Sequence, residues 1–240
     1  MNSETTTDSS NIDQREAEKF DALAARWWDP AGDSRPLHDI NGPRMAYIEA
    51  RARIDNQSVV DVGCGGGLLC EALNERGAAV TGIDIADKPL GVARLHAADR
   101  GLDIDYRKTT AEALAAERAG DFDLVCCLEM LEHVPDPSSV VEACAELARP
   151  GGQLFFSTIN RSPQAWALAI VGAEYLLGLL PRGTHRYDRL IRPEELAAGC
   201  RKSGLEVLDI TGLHYNPFSR TVRIGGMPRV NYLLHARKPG

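Results

Sequence analysis

Residues 58–67 read SVVDVGCGGG and residues 79–84 read AVTGID. The first stretch is a short β-branched apolar run, 58–62, that empties into four glycines within five residues. A helical stretch over 68–75 follows, with Gly77 suited to the position just past a helix end. The second stretch is a strand that ends on Asp84. Strand, glycine turn, helix and strand form the repeating unit of doubly wound parallel sheets, which bind ligands at the carboxyl ends of their strands. Glycine lacks Cβ and takes φ > 0, so such a turn can be tight, with N–H groups accessible to a ligand. So many glycines carry a large entropic cost, which favours a turn that holds something over an idle one.

The dinucleotide fingerprint G-x-G-x-x-G fails here twice. Counted from Gly63 its last position is Leu68, and counted from Gly65 it is Cys70. The phosphate-binding loop fails as well, since no Gly-Lys-Ser/Thr follows. What remains is a carboxylate, Asp61, set just before Gly63 and Gly65. An incoming pyrophosphate would be repelled there, whereas the ammonium group of an amino acid would be attracted. Asp84 ends the adjacent strand, from which a carboxylate can accept hydrogen bonds from two ribose hydroxyls.

Outward from this centre the same alternation continues. Helices are expected over 89–99 and 138–148, and strands over 104–107, 122–128 and 153–158. The strands are apolar at nearly every position, as in a parallel sheet covered on both faces. A helix over 192–204 and strands over 205–210 and 232–236 complete the pattern, with an irregular segment, 214–229, between the last two. Before the sheet, Phe20, Leu23, Ala24, Trp27 and Trp28 recur at helical spacing until Asp29-Pro30. A second helix is expected over 44–54. The domain reading is a flexible tail over 1–10, a helical extension or lid over 11–57, and an α/β domain over 58–240 with an insertion over 162–190.

The 240 residues carry 27 Lys+Arg against 34 Asp+Glu, a net charge of −7, which speaks against a nucleic-acid partner. The six cysteines, at 64, 70, 126, 127, 144 and 200, form no C-x-x-C pair and no disulfide framework. A reducing cytosol is the simplest compartment, and MNSETTTDSS has neither the apolar core nor the Arg-rich face of a targeting segment.

DVGCGGG with GIDI resembles motif I and the acidic loop of class I S-adenosylmethionine-dependent methyltransferases. RWWD at 26–29, PLHDIN at 36–41, EMLEHVPDP at 129–137, FFSTINR at 155–161, VGAEYLLGLLPRGTH at 171–185 and TGLHYNP at 211–217 together resemble the UbiG family of ubiquinone-biosynthesis O-methyltransferases over almost the whole chain. The resemblance implies a Rossmann-like, mostly parallel seven-stranded sheet with an N-terminal helical lid. It implies O-methylation of polyprenylated catechol and phenol intermediates at both steps of the pathway, with S-adenosyl-L-methionine as co-substrate. Gly63 would touch the methionine portion through its backbone, Asp84 would hold the ribose, and Leu128 would lie beside the cofactor at a position often Met in the family. Arg44, read alone an exposed helix residue, would clamp the methionine carboxylate, for which a guanidinium fork is well shaped.

Glu129, Glu132 and His133 follow the strand 122–128. One helical turn there would put all three on one face. Such a set can hold Mg²⁺, which would acidify a coordinated catechol; alternatively His133 can take the phenolic proton as general base. The plainer reading is an acidic loop capping the helix that Pro137 opens, and family relatives favour the metal. The apolar run 165–180, too short to span a bilayer, reads either as a substrate-tunnel helix or as a membrane-surface element backed by Arg182, Arg186, Arg189 and Arg192. Its expected partners are anionic lipids at the inner face of the membrane, a polyprenylated quinol and other ubiquinone-biosynthesis proteins. Competing functions are methylation of another small acceptor, or a non-catalytic cofactor-binding scaffold docked on lipid.

Overall fold

A computed structural model describes residues 11–32, 34–165 and 187–240. Two helices, α1 (Gln14–Leu23) and α2 (Arg35–Glu49), precede the sheet. Strands and helices then alternate: β1 (Ser58–Val62), α3 (Leu68–Asn74), β2 (Ala79–Asp84), α4 (Asp87–Asp99), β3 (Ile104–Lys108), α5 (Ala111–Arg118), β4 (Phe122–Leu128), α6 (Pro137–Leu147) and β5 (Ala148–Ile159). Helix α7 (Pro193–Lys202) and strands β6 (Glu206–Asn216), β7 (Thr221–Ile224) and β8 (Asn231–Arg237) complete the domain.

The sheet order is β3-β2-β1-β4-β5-β8-β6-β7. Strands β3 to β5 run parallel, while β8 enters antiparallel between β5 and β6. Two cores follow from the two-residue period of the strands. Leu124, Cys126 and Leu128 of β4 face one core, with α2, α3 and α4 packed over it. Val125 and Cys127 face the other, under α5, α6 and α7. The unbroken apolar runs of the central strands are therefore what burial on both faces requires. All six cysteines are buried free thiols.

The structure corrects the expected sheet: among the described residues it has eight strands, not seven. The additional strand, β7, lies in the segment read as irregular and pairs with β6 from Leu213↔Ile224 to Asn216↔Thr221. It is a short edge strand with Thr221 and Arg223 exposed, so it lacks the apolar texture of its neighbours. Helix α2 begins nine residues before the expected start, with proline in its first turn and Pro43 inside it. Helix α5, capped by the Thr110 hydroxyl on Ala113 N–H, has no counterpart in the expected pattern. The expected long first helix ends at Leu23 and passes into a single 3₁₀ turn, Ala24–Arg26.

Most of the 165–180 run, together with Arg182 and Arg186, lies outside the described residues, as does the 1–10 tail. Among the described residues, no helix is long and apolar enough to cross a membrane.

Candidate functional site

The carboxyl ends of β1, β2 and β4 open onto a cavity of about 570 Å³. Asp61, Gly63, Gly65, Asp84, Leu128, Glu129, Glu132 and His133 all line it, with Arg44 contributed by α2. The expected cofactor and reaction-centre residues thus face one space.

The turn after β1 takes φ of +76°, +51° and +88° at Gly63, Gly65 and Gly67, values that only glycine adopts without strain. Its N–H groups, expected to be open to a ligand, are instead largely spent within the protein. Gly63 and Cys64 donate to the Ile83 carbonyl at 2.9 and 3.0 Å, and Gly67 donates to Cys64. Gly65 N–H donates to Asp84 Oδ2 at 2.9 Å. What the turn offers is close approach: a Cβ at Gly63 would collide with the Met130 side chain.

Asp84 also accepts from Ala86 N–H through Oδ1 at 2.8 Å, so one carboxylate ties the glycine turn to the start of α4. Burial raises its carboxyl above the ordinary value. Asp61 is fully enclosed, with Cys70 Sγ donating to Oδ2 at 3.4 Å, and burial pushes its carboxyl up to about 7. Such a group holds, when folded, a proton that the unfolded chain loses at about pH 3.9. Its contribution to stability is therefore complete below about pH 4 and is lost as pH rises through about 7. The Tm of the ligand-free protein should fall across this window, and Asp61→Asn should flatten the slope in thermal melts. An unchanged slope in the variant would assign the effect elsewhere.

Arg44 is 5 % exposed, and among the described residues its Nε and Nη2 find no hydrogen-bond acceptor. Nη2 stands 3.0 Å from Glu129 Oε1, an ion pair outside hydrogen-bond alignment. Unspent donors on a buried guanidinium beside Asp61 and the glycine turn fit a carboxylate ligand. Glu129 sits at φ +54°, held by Ser157 Oγ at 2.8 Å and Asn231 Nδ2 at 3.0 Å.

The expected helical turn carrying Glu129, Glu132 and His133 is a 3₁₀ turn over Leu131–His133, with Glu129 before it in a left-handed conformation. The three side chains therefore do not share a helical face, and each takes a hydrogen-bond partner of its own. Glu132 is buried and accepts from Thr158 Oγ1 at 2.7 Å, while its Oε1 has no partner among the described residues. Burial, reinforced by the charge of Glu129, raises its carboxyl. His133 Nδ1 lies 2.9 Å from Glu16 Oε2. Among the described residues, no group of three or more His, Cys, Asp and Glu side chains is arranged to hold a metal ion. As they stand, the expected Mg²⁺ ligands do not make a fitting donor set, because Glu129 turns to Arg44 and His133 to Glu16.

Glu16 is a site residue that the sequence reading misses. It lies on the face of α1 that buries Ala17 and is itself 8 % exposed. A carboxylate on the buried face of an amphipathic helix is the signal that marks it. Burial works against its charge, but hydrogen bonds from His133 and Lys19 outweigh it and bring the carboxyl down to about 2. For His133 burial favours the neutral ring; Glu16, with Glu132 and Glu129 behind it, reverses this and raises the value.

The N-terminal segment closes over this space. Trp27 lies against the glycine turn, so close that a Cβ at Gly66 would overlap its ring. Trp28 donates to the Gly66 carbonyl at 3.0 Å and stacks on His96 with centroids 3.5 Å apart. Asp13, the cap of α1, pairs with Arg189 at 2.6 Å. Arg189, expected to face a membrane, is therefore paired with the start of α1. Arg192 is the N-cap of α7 through its backbone, whose N–H donates to Glu195 Oε2 at 3.0 Å.

Residues 16–210 match the family model of a methyltransferase domain. The ubiquinone biosynthesis O-methyltransferase of Azotobacter vinelandii is 58 % identical over 225 residues, covering 94 % of this chain and 97 % of the relative. Its counterpart in Pseudomonas aeruginosa is 54 % identical, covering 95 % and 99 %. Among solved structures, the chain superposes on magnesium protoporphyrin IX methyltransferase from Synechocystis with bound S-adenosylmethionine. The TM-score is 0.63 at 20 % identity, over 95 % of this chain and 98 % of that one. A Thermotoga maritima S-adenosylmethionine-dependent methyltransferase gives 0.66 at 16 % identity, over 93 % and 99 %. At these identities the two structures show a shared fold.

Proposed function

The chain belongs to the ubiquinone-biosynthesis O-methyltransferases within the S-adenosylmethionine-dependent methyltransferase family, and from that membership we propose how its residues divide the work. One observation carries the reading: a single cavity has unspent Arg44 donors, Asp61 and Asp84 at one end and a Glu16–His133 pair at the other.

S-adenosylmethionine supplies an electrophilic methyl on a sulfonium sulfur, which leaves as a neutral thioether. Asp84 accepts from the ribose hydroxyls while keeping the glycine turn in place. Arg44 takes the carboxylate of the methionine portion, and Asp61 favours its ammonium. Gly63 and Gly65 permit the close approach, and Leu128 closes the cavity from the sheet.

At the other end the residues act on the acceptor. A phenol has a pKa of about 10 and is a weak nucleophile until its proton is removed. His133 takes that proton. Glu16 fixes the ring through Nδ1 and stabilises the imidazolium that forms, which the raised His133 value expresses. Glu129, joined to Arg44, serves the cofactor end.

The acceptor is a polyprenylated catechol or quinol, at both O-methylation steps of the pathway. Methyl transfer to a prenylated and to an unprenylated catechol tests this. A faster reaction with the prenylated acceptor is expected, and equal rates would point to another small acceptor.

The segment 165–180 and the arginines after it are read as a membrane-surface element at the inner face of the membrane. Arg182 and Arg186 then meet anionic headgroups, each worth about 1 kcal/mol near a charged surface. Flotation should show binding to anionic vesicles, weaker binding to neutral ones, and loss with salt or with R182E/R186E. Equal flotation of wild type and variant would make the segment a tunnel helix.

A further inference from the structure

Phe218 stands at the turn between β6 and β7, 82 % exposed, yet it lines the same cavity as His133. A lone exposed apolar residue is ordinary on a protein surface; one that is also on the wall of the active cavity is positioned at its rim. Of the apolar residues on that lining, Ile159 and Leu213 are buried, Val230 and Pro217 half-buried, and Phe218 exposed. The turn is also held firmly. Asn216 Oδ1 accepts from Phe218 and Ser219 N–H at 3.0 and 3.2 Å. Tyr215 OH donates to Asp39 at 2.8 Å, and Arg220 grips the same carboxylate through Nε and Nη2. Asp39 belongs to α2, the helix that carries Arg44, so the rim is fastened to the cofactor-binding framework.

We propose that Phe218, backed by Pro217, is a specificity-determining residue that receives the polyprenyl tail of the acceptor where it leaves the cavity. The proposal rests on the prenylated-acceptor reading above. A catechol ring placed against His133 must send its tail out of the cavity, and this wall is an apolar path that ends in solvent at an aromatic side chain. The tail covers the exposed ring and loses apolar surface of its own, a gain available only to a substrate that carries a tail. The occupant is the tail and not the bilayer, because Phe218 belongs to the cavity wall and its turn is tied inward to α2.

The test uses the whole enzyme with a long-chain prenylated catechol in detergent micelles and with an unprenylated catechol. Phe218→Ala should lower kcat/KM for the prenylated acceptor about tenfold, mainly through KM. The unprenylated acceptor should react as with wild type, and Phe218→Leu should restore most of the loss. Flotation on anionic vesicles without acceptor should not change. Equal losses on both acceptors, or none on the prenylated one, overturn the proposal. So does loss of flotation, which would place Phe218 in the lipid. A wild type with no preference for the prenylated acceptor would overturn the acceptor reading first, before any substitution is made.

Discussion

His133→Ala should lower kcat for methyl transfer by about 10²–10⁴-fold, the span usual for a positioned general base, with cofactor affinity close to wild type. The separation follows from where the ring lies. His133 is fixed by Glu16 from α1, whereas the proposed cofactor residues are Asp84, Asp61, Arg44 and the glycine turn. Glu16→Gln should cost less, because it keeps a hydrogen-bonding oxygen at Nδ1 but gives up the charge that stabilises the imidazolium. Single-turnover methyl transfer with labelled cofactor, beside calorimetric titration of the cofactor, reads both quantities. A His133→Ala enzyme with wild-type kcat would remove the imidazole from proton transfer.

Asp84→Ala should weaken cofactor binding by about two orders of magnitude, since a hydrogen bond to a charged group contributes roughly 1.5–3 kcal/mol and this carboxylate serves the ligand and the turn together. Oδ2 holds Gly65 N–H, and Oδ1 holds Ala86 N–H. Alanine removes the proposed ribose acceptor and frees the glycine turn that Asp84 holds. Asp84→Asn should fall between, with one acceptor oxygen retained and an amide hydrogen facing a backbone donor. Calorimetry on folded variants decides it; an unaltered Kd for Asp84→Ala would release the residue from the ribose.

What is legible without the structure is what is local in the chain. The apolar runs of β1 and β2, the glycine turn and Asp84 follow one another closely in sequence, and the alternation of strands with helices marks the parallel sheet, whereas the strand order, with β1 beside β4 and β8 between β5 and β6, is set by the fold. The bounds of α2 are harder to read, because Pro36 and Pro43 obscure a helix that starts at Arg35 and favour a later start. Strand β7 is hard to recognise from texture, since its alternation runs for only four residues, TVRI, and needs β6 to define it. At the site, spacing alone groups Glu129, Glu132 and His133. Their partners come from distant segments: Arg44 from α2, Glu16 from α1 and Asn231 from β8. Spacing assumes a regular turn, and the left-handed Glu129 breaks that assumption. Long-range charge pairing is equally invisible in sequence: Arg189 reads as basic and free until the fold sets Asp13 beside it.

The position of β8 bears on how the protein is made. It is the last strand along the chain, yet it lies in the interior of the sheet, between β5 and β6. During synthesis, the parallel half from β1 to β5 can gather as it leaves the ribosome, because its neighbours emerge in near succession. The remaining hairpin, β6 and β7, has no edge to join until Asn231–Arg237 has emerged and been inserted beside β5. Nascent chains arrested before that point would carry the glycine turn and Asp84 but lack Asn231 on Glu129, and would present the apolar edge of β5 to other chains. Ribosome stalling before that point should therefore yield aggregation-prone, inactive fragments, whereas emergence of Asn231–Arg237 closes the sheet and the candidate site in one event.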